Sequence, residues 1–387
     1  GPRQRQMFVD IGALMQNDLN TGIQRVVRAI IDQWLRNPPA GWRIEPVYAD
    51  LSINRFRYAR RYTSGFLGVP CDWPFDAPID YRAGDHFLGL DLLMKMVFDI
   101  DGAVAQMAAA GVQVSYVVYD LLPITLPQHF MEIDCKWFRI WLETAAGYDR
   151  LLCISQSVAN DVRAFLTENP PASGRMPQID WFHLGADLET ASTKVPPKQH
   201  QSTDLPAIGS APAFLMVGTM EPRKGHGFAL DAFELLWAAG SNSILVIAGK
   251  QGWKVETLAT RLRQHPEYGK RLIWLENVSD AQLQRLYTSC ICLIAASEGE
   301  GFGLPLIEAS RYNMPILARD IPVFREIAGG HATFFDGSAA QNLSAAVQDW
   351  LATYAEGGQI KSGKMPFLTW QECARTLFER LTTTAPQ

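Results

Sequence analysis

The stretch EGEGFGLPLIE, residues 298–308, places two acids, Glu300 and Glu308, with seven residues between them, directly after the apolar run ICLIAA. Gly299, Gly301 and Gly303 let backbone approach a ligand closely. Pro305 suits the first turn of a helix, so the loop is expected to pass into a helix that carries Glu308. Carboxylates accept hydrogen bonds from sugar hydroxyls, and two at this spacing can hold two sugar rings at once. The plainer alternatives are a loop charge at Glu300 and an exposed helix acid at Glu308.

A second stretch, GTMEPRKGH (218–226), follows a strand-like run and precedes a helical pattern. Arg223 and Lys224 there stand beside a helix N-terminus. Free N–H groups, the helix dipole and fixed positive charge together suit phosphate. Taken alone this could be a solvated basic turn. Lying in the same half of the chain as the two acids, it points to a phosphate-bearing sugar. A third stretch, NDLNTGIQRVVR (17–28), puts Gly22 at a strand-to-helix turn. By itself it reads better as an ordinary helix start capped by Asn20 or Thr21.

These loops need a scaffold. Strand-like runs at 7–12, 43–49, 86–91, 112–120 and 150–155 alternate with helical patterns such as 22–35 and 157–166. A polar, proline-bearing stretch without periodicity interrupts them near 187–207. A second alternation follows, with strands at 213–218, 243–249, 271–276, 291–296 and 315–319. Its helices fall near 226–239, 253–265, 280–289, 305–312 and 338–353. Alternation of this kind predicts an α/β protein with two doubly wound, Rossmann-like domains whose strand ends face across a cleft. The expected divisions are 1–190 for a first domain, 191–207 for a linker and 208–367 for a second domain. A terminal helix in 368–387, apolar on one face, is expected to pack back on the first domain.

The 387 residues exceed one ordinary core, and 48% hydrophobic with 19% charged residues indicates a globular chain. A formal net charge of -5 argues against nucleic acid as a partner. Six scattered cysteines form no CxxC pair and read as buried reduced thiols rather than zinc ligands. No run approaches a membrane span and no secretory signal is seen, so a cytoplasmic protein is expected, soluble or peripheral on the inner membrane. The opening Gly1–Pro2 reads as a protease-cleavage scar.

With EGFGLPLIE, MPILARDIPVFREIAG (314–329) and EPRKGH in view, the chain resembles the family-4 glycosyltransferases of the GT-B fold along most of its length. TGIQRVVR and YDLLPITLPQHF (119–130) resemble a subgroup that builds bacterial surface polysaccharides such as O-antigen, often from mannose or other hexose donors. The resemblance implies a role for each matching position. Glu300 would hold the transferred sugar, Glu308 the ribose, and Arg223 and Lys224 the diphosphate. Backbone at Gly303 and Leu304 would hold phosphate or sugar, Gly22 would edge the diphosphate, and Val278 would meet the base. Two positions depart from the pattern. Thr219 stands where many relatives have arginine. Tyr119 stands where many have a sugar-contacting histidine, with Asp120 next to it as a candidate for the acceptor hydroxyl.

The expectation is thus a retaining, metal-independent hexosyltransferase without a cofactor. It would move a hexose, mannose from GDP-mannose favoured, to a glycan or lipid-linked glycan. It could also be one module of a larger polymerase. The DxD pattern in FDIDG (98–102) falls in a helical stretch away from any nucleotide loop, so no metal is assigned. RFRYARRYTSGFL (55–67) reads as a solvated loop, with contact to anionic lipid or a lipid-linked acceptor as the alternative. Other GT-B enzymes (a sugar-nucleotide epimerase, a phosphorylase) and a non-catalytic glycan-binding protein remain as rival readings. An NAD-dependent oxidoreductase would want GxGxxG after a first strand, which DIGALMQNDLNTG lacks.

Overall fold

The structure, a computed structural model, describes residues 4–16, 21–72, 75–92, 94, 97–186, 208 and 210–383. These fall into two units. The first holds the described residues up to Pro127, those from Met131 to Ala186, and those from Leu368 onward; the second holds Gln128–Phe130 and the rest up to Phe367. The expected linker, 191–207, lies outside the described residues, as does Asn20.

The first unit contains β1 (Arg5–Asp10), β2 (Trp42–Asp50), β3 (Arg55–Tyr58), β4 (His86–Gly89), β5 (Gln113–Val118), β6 (Arg150–Cys153) and β7 (Gln178–Trp181). They form one sheet in the order β3-β2-β1-β4-β5-β6-β7, parallel except for the β2–β3 pair. Its helices are α1 (Gly12–Gln16), α2 (Gly22–Arg36), α3 (Arg60–Leu67), α4 (Val97–Ala109), α5 (Leu122–Thr125), α6 (Glu132–Ala145) and α7 (Gln156–Glu168).

The second unit contains β8 (Ala213–Val217), β9 (Ile244–Ala248), β10 (Leu272–Leu275), β11 (Cys292–Ala295), β12 (Ile316–Arg319) and β13 (Thr333–Phe335), all parallel, in the order β10-β9-β8-β11-β12-β13. Its helices are α8 (His226–Ala238), α9 (Glu256–Gln264), α10 (Asp280–Ser289), α11 (Leu304–Arg311), α12 (Pro322–Ala328) and α13 (Ala340–Ala355). A parallel sheet covered on both faces needs strands without a polar side. That is why β9, ILVIA, is an unbroken apolar run with every residue buried.

The final helix, α14 (Trp370–Thr382), belongs to the first unit and packs on α2. Thr369 caps it, with Glu372 completing a capping box. Trp34 Nε1 donates to the Ala374 carbonyl at 3.0 Å, and Phe378 meets the rings of Trp34 and Trp42 edge-on. At the other end, Arg150 donates to the carbonyls of Arg380 and Thr383, which have no partner within the helix.

Residues 55–67 correct the expectation of a loop. Alternation puts Phe56 and Tyr58 into the core as strand β3, and α3 follows at once. Two of the arginines are engaged: Arg57 pairs with Asp50, and Arg60 lies over the Tyr58 ring, 3.6 Å from Glu45. Among the described residues no helix is long and apolar enough to cross a membrane. Asp99 and Asp101 of the DxD pattern lie within α4, where Asp101 accepts from the Tyr148 hydroxyl.

Trp370 is 2% exposed and opens the helix that closes the core over α2. Trp370→Ala is expected to lower the unfolding free energy of the full chain by about 3–5 kcal/mol, measured by urea titration.

Candidate functional site

In a doubly wound sheet the strand order reverses at one point, and the loops on either side of it leave a crevice at the carboxyl ends of the strands. In the second unit that point lies between β8 and β11. The loop after β8 carries Arg223 and Lys224. The loop after β11 carries Glu300 and passes through Gly303 into α11. Sheet order therefore unites two stretches that lie 76 residues apart in sequence.

Both loops are shaped by glycine. Gly225 has φ +76°, and a Cβ there would stand 2.6 Å from the Ala296 carbonyl oxygen. Gly303, the N-cap of α11, has φ +98°, and a Cβ would stand 2.9 Å from the Phe324 ring. A left-handed backbone and close approach leave no room for a side chain at either position. The loops thus lie against each other, and the Glu298 amide donates to the Arg223 carbonyl at 2.9 Å.

The charges meet inside this fold. Lys224 is ion-paired with Glu300. Arg223 lies 3.0 Å from Glu300 and 3.0 Å from Glu221, and it also donates to the Gly299 carbonyl. Ser297 Oγ donates to Glu300 at 2.7 Å. The side chains are mostly buried: 13% exposed for Arg223, 16% for Lys224 and 11% for Glu300. Burial alone would raise the Glu300 pKa. Lys224 and Arg223, with hydrogen bonds from Lys224 and Ser297, outweigh it and hold the carboxyl at about 2. Glu300 is therefore no solvated loop charge.

Glu308 is no surface acid either. It is 4% exposed on α11 and accepts from the Tyr287 hydroxyl at 2.9 Å. Leu304 is the first residue of the same helix, half-buried. Val278 lies apart from this cluster, in the loop between β10 and α10, just before the Ser279 cap. The short segment Gln128–Phe130 also belongs to this unit. Lys254 binds the carbonyls of Gln128 and Phe130, and His129 Nε2 lies 3.0 Å from Glu298.

Gly22 and Asp120 belong to the first unit. Gly22 opens α2 behind the Thr21 cap, with a complete capping box and open space around it. Asp120 follows β5 and accepts from the Leu122 amide at 3.0 Å. Tyr119 is buried, with its hydroxyl on the Leu90 carbonyl at 2.7 Å. The reversal point of this sheet, between β1 and β4, holds acids the sequence did not single out. Asp10 and Asp91 are buried there and accept from the amides of Gly12 and Leu14. Burial, and then Asp91, push Asp10 up to about 7 against the pull of the Gly12 amide. Also not singled out were Glu221 and His226 within the basic stretch, Ser297 just before Glu298, and Tyr287 of α10, which donates to Glu308. Among the described residues no group of three metal-ligating side chains comes together.

Residues 198–360 match the family described as glycosyl transferases group 1. That segment is a glycosyl transferases group 1 domain. It is 41% identical over 385 residues to the serotype-specific mannosyltransferase WbdA of Escherichia coli, covering 99% of this chain and 47% of that protein. It thus spans about half the length of the WbdA relatives it matches. Against the O-antigen chain mannosyltransferase B of Escherichia coli the identity is 31% over 171 residues, 41% of this chain and 42% of the relative. Among solved structures, HepE of Anabaena in complex with UDP and glucose superposes with a TM-score of 0.66 at 16% identity, over 99% of this chain and 100% of that one. The sucrose-phosphate synthase of Thermosynechococcus elongatus gives 0.57 at 14%, over 97% and 95%. The fold is GT-B, as the sequence led us to expect.

A carboxyl held low by folding contributes stability that is complete above its ordinary value of 4.5 and lost as pH falls through about 2. Urea midpoints taken across that interval should therefore fall more steeply in the wild type than in Glu300→Gln. Equal slopes would mean that the cluster does not hold Glu300 ionised.

Proposed function

We propose that this chain is a retaining mannosyltransferase of bacterial O-antigen synthesis. It moves mannose from GDP-mannose to a hydroxyl of a glycan or lipid-linked glycan, as one module of a longer polymerase. The observation that carries the reading is the buried cluster of Arg223, Lys224 and Glu300 at the reversal point of the second sheet, in a chain akin over 99% of its length to a mannosyltransferase. The cytoplasmic face of the inner membrane is where such a donor and a lipid-linked acceptor would meet.

In this reading the second unit binds the donor. Arg223 and Lys224 take the diphosphate, Glu300 the hydroxyls of the transferred mannose, and Glu308 the ribose. The amides at Gly303 and Leu304 add donors at the start of α11, and the backbone around Val278 meets the base. Gly22 and Asp120, on the first unit, serve the diphosphate edge and the acceptor hydroxyl. The sugar–phosphate bond breaks and the acceptor oxygen bonds to the anomeric carbon on the same face. The acceptor proton passes to the departing phosphate oxygen, so no carboxylate nucleophile is needed. Two fixed cations stabilise the leaving group without a divalent ion. The enzyme's contribution is positioning and charge.

The two glutamates separate the roles. Glu300→Gln should lower kcat with little change in donor KM, and Glu308→Gln should raise donor KM. Each charged hydrogen bond lost is worth about 1.5–3 kcal/mol, roughly tenfold to a hundredfold. Steady-state kinetics with GDP-mannose and a mannosyl acceptor, with UDP-glucose as comparator, measures both; wild-type constants in both variants would refute the site.

Lys224→Ala should weaken GDP binding far more than guanosine binding, and transfer should persist in EDTA. Calorimetry and a chelated assay check this. Activity lost to EDTA and restored by magnesium would contradict the cation assignment.

A further inference from the structure

His226 is the first residue of α8, immediately behind the phosphate loop, and is 2% exposed. Neither of its ring nitrogens has a hydrogen-bond partner among the described residues. A neutral imidazole carries one donor and one acceptor, and buried polar atoms are nearly always satisfied by protein or ordered water. Burial, reinforced by Lys224, pushes its pKa down to about 3, so the ring stays neutral. The same ring lines a small cavity together with Lys224, Ser297, Glu300, Gly303 and Phe324. The cavity has a volume of about 30 Å³, enough for a water.

We infer that this cavity holds one ordered water, that the water links the His226 ring to the Ser297–Glu300 pair, and that His226 is thereby a positioning residue for Glu300. The chemistry of the lining fits. A buried water needs two to four polar partners. The imidazole offers one nitrogen as donor or acceptor. Ser297 Oγ donates to Glu300 and keeps lone pairs to accept. The Glu300 carboxylate accepts as well.

The inference rests on the reading that Glu300 holds the transferred sugar. In the free protein Lys224 and Arg223 hold that carboxylate. A diphosphate competes for the same two cations. Once they turn to it, Glu300 keeps only the Ser297 hydroxyl and the water to fix its rotation, and the water in turn depends on His226. A neutral ring suits the task, because an imidazolium beside Lys224 would repel it.

The test combines crystallography with kinetics on the full chain. A wild-type crystal structure should show a water within hydrogen-bond distance of a His226 nitrogen. His226→Phe keeps an aromatic ring of similar shape but removes the polar atoms. It should lower kcat about tenfold, with the Kd for GDP changed by no more than about twofold. His226→Asn, which retains a donor and an acceptor, should recover part of the loss. Combined with Glu300→Gln, His226→Phe should add no further loss, since both act through one group. A dry cavity, wild-type kcat in His226→Phe despite a lowered Tm, or losses that multiply would overturn the inference. If Glu300→Gln itself keeps full turnover, the reading of Glu300 fails first. If Glu300→Gln is impaired while His226→Phe is not, only the role of His226 fails.

Discussion

Two cations placed inside a protein must find two anions, because an unpaired buried charge is far costlier than any contact it displaces. Arg223 and Lys224 meet this requirement through Glu221 and Glu300. The pairing is possible only because β8 and β11 are neighbours, so the loops at their ends share one crevice. Much of the second unit serves that adjacency: apolar central strands, a left-handed glycine in each loop, and helices that start where the loops end. The same arrangement makes the cluster receptive. In the proposed reading, a ligand bearing two negative charges would offer the cations a better partner and free Glu300 to bind hydroxyls.

The first unit uses the same sheet plan to a different end. Its acids at the reversal point, Asp10 and Asp91, accept instead from the backbone amides of Gly12, Leu14 and Leu92. Burial pushes the Asp10 pKa up, whereas Lys224 and Arg223 outweigh burial and leave Glu300 low. One sheet plan thus gives opposite electrostatics, decided by whether basic residues follow the first strand. The terminal helix returns to this unit, where its Phe378 meets the rings of Trp34 and Trp42.

Much of this was legible in sequence because burial on both faces writes a strand as an unbroken apolar run. ILVIA and AFLMV could hardly be anything else. Short edge strands leave fainter marks. β7 has no fully buried residue and β13 has three residues, so neither announces itself. Residues 55–67 misled because four arginines in thirteen residues look solvated, while Phe56 and Tyr58 carry a strand between them. At the site, residue types and spacing pointed to Glu300, Glu308, Arg223 and Lys224. They could not give the pairing of Lys224 with Glu300, which depends on sheet order. Nor could they give the depth of Glu308, set by Tyr287, or the solitude of the His226 ring. TGIQR illustrates the opposite case: its capping box needs only local chemistry and was foreseeable from Thr21.

The central claim is that the diphosphate of a nucleotide sugar takes the cations now held by Glu300. A crystal structure of the GDP complex tests it most directly. The account predicts phosphate oxygens on Lys224 Nζ and the Arg223 guanidinium, with the Lys224–Glu300 pair broken or lengthened. A diphosphate bound elsewhere, or one bound while Lys224 and Glu300 remain paired as they are in the free protein, would contradict it.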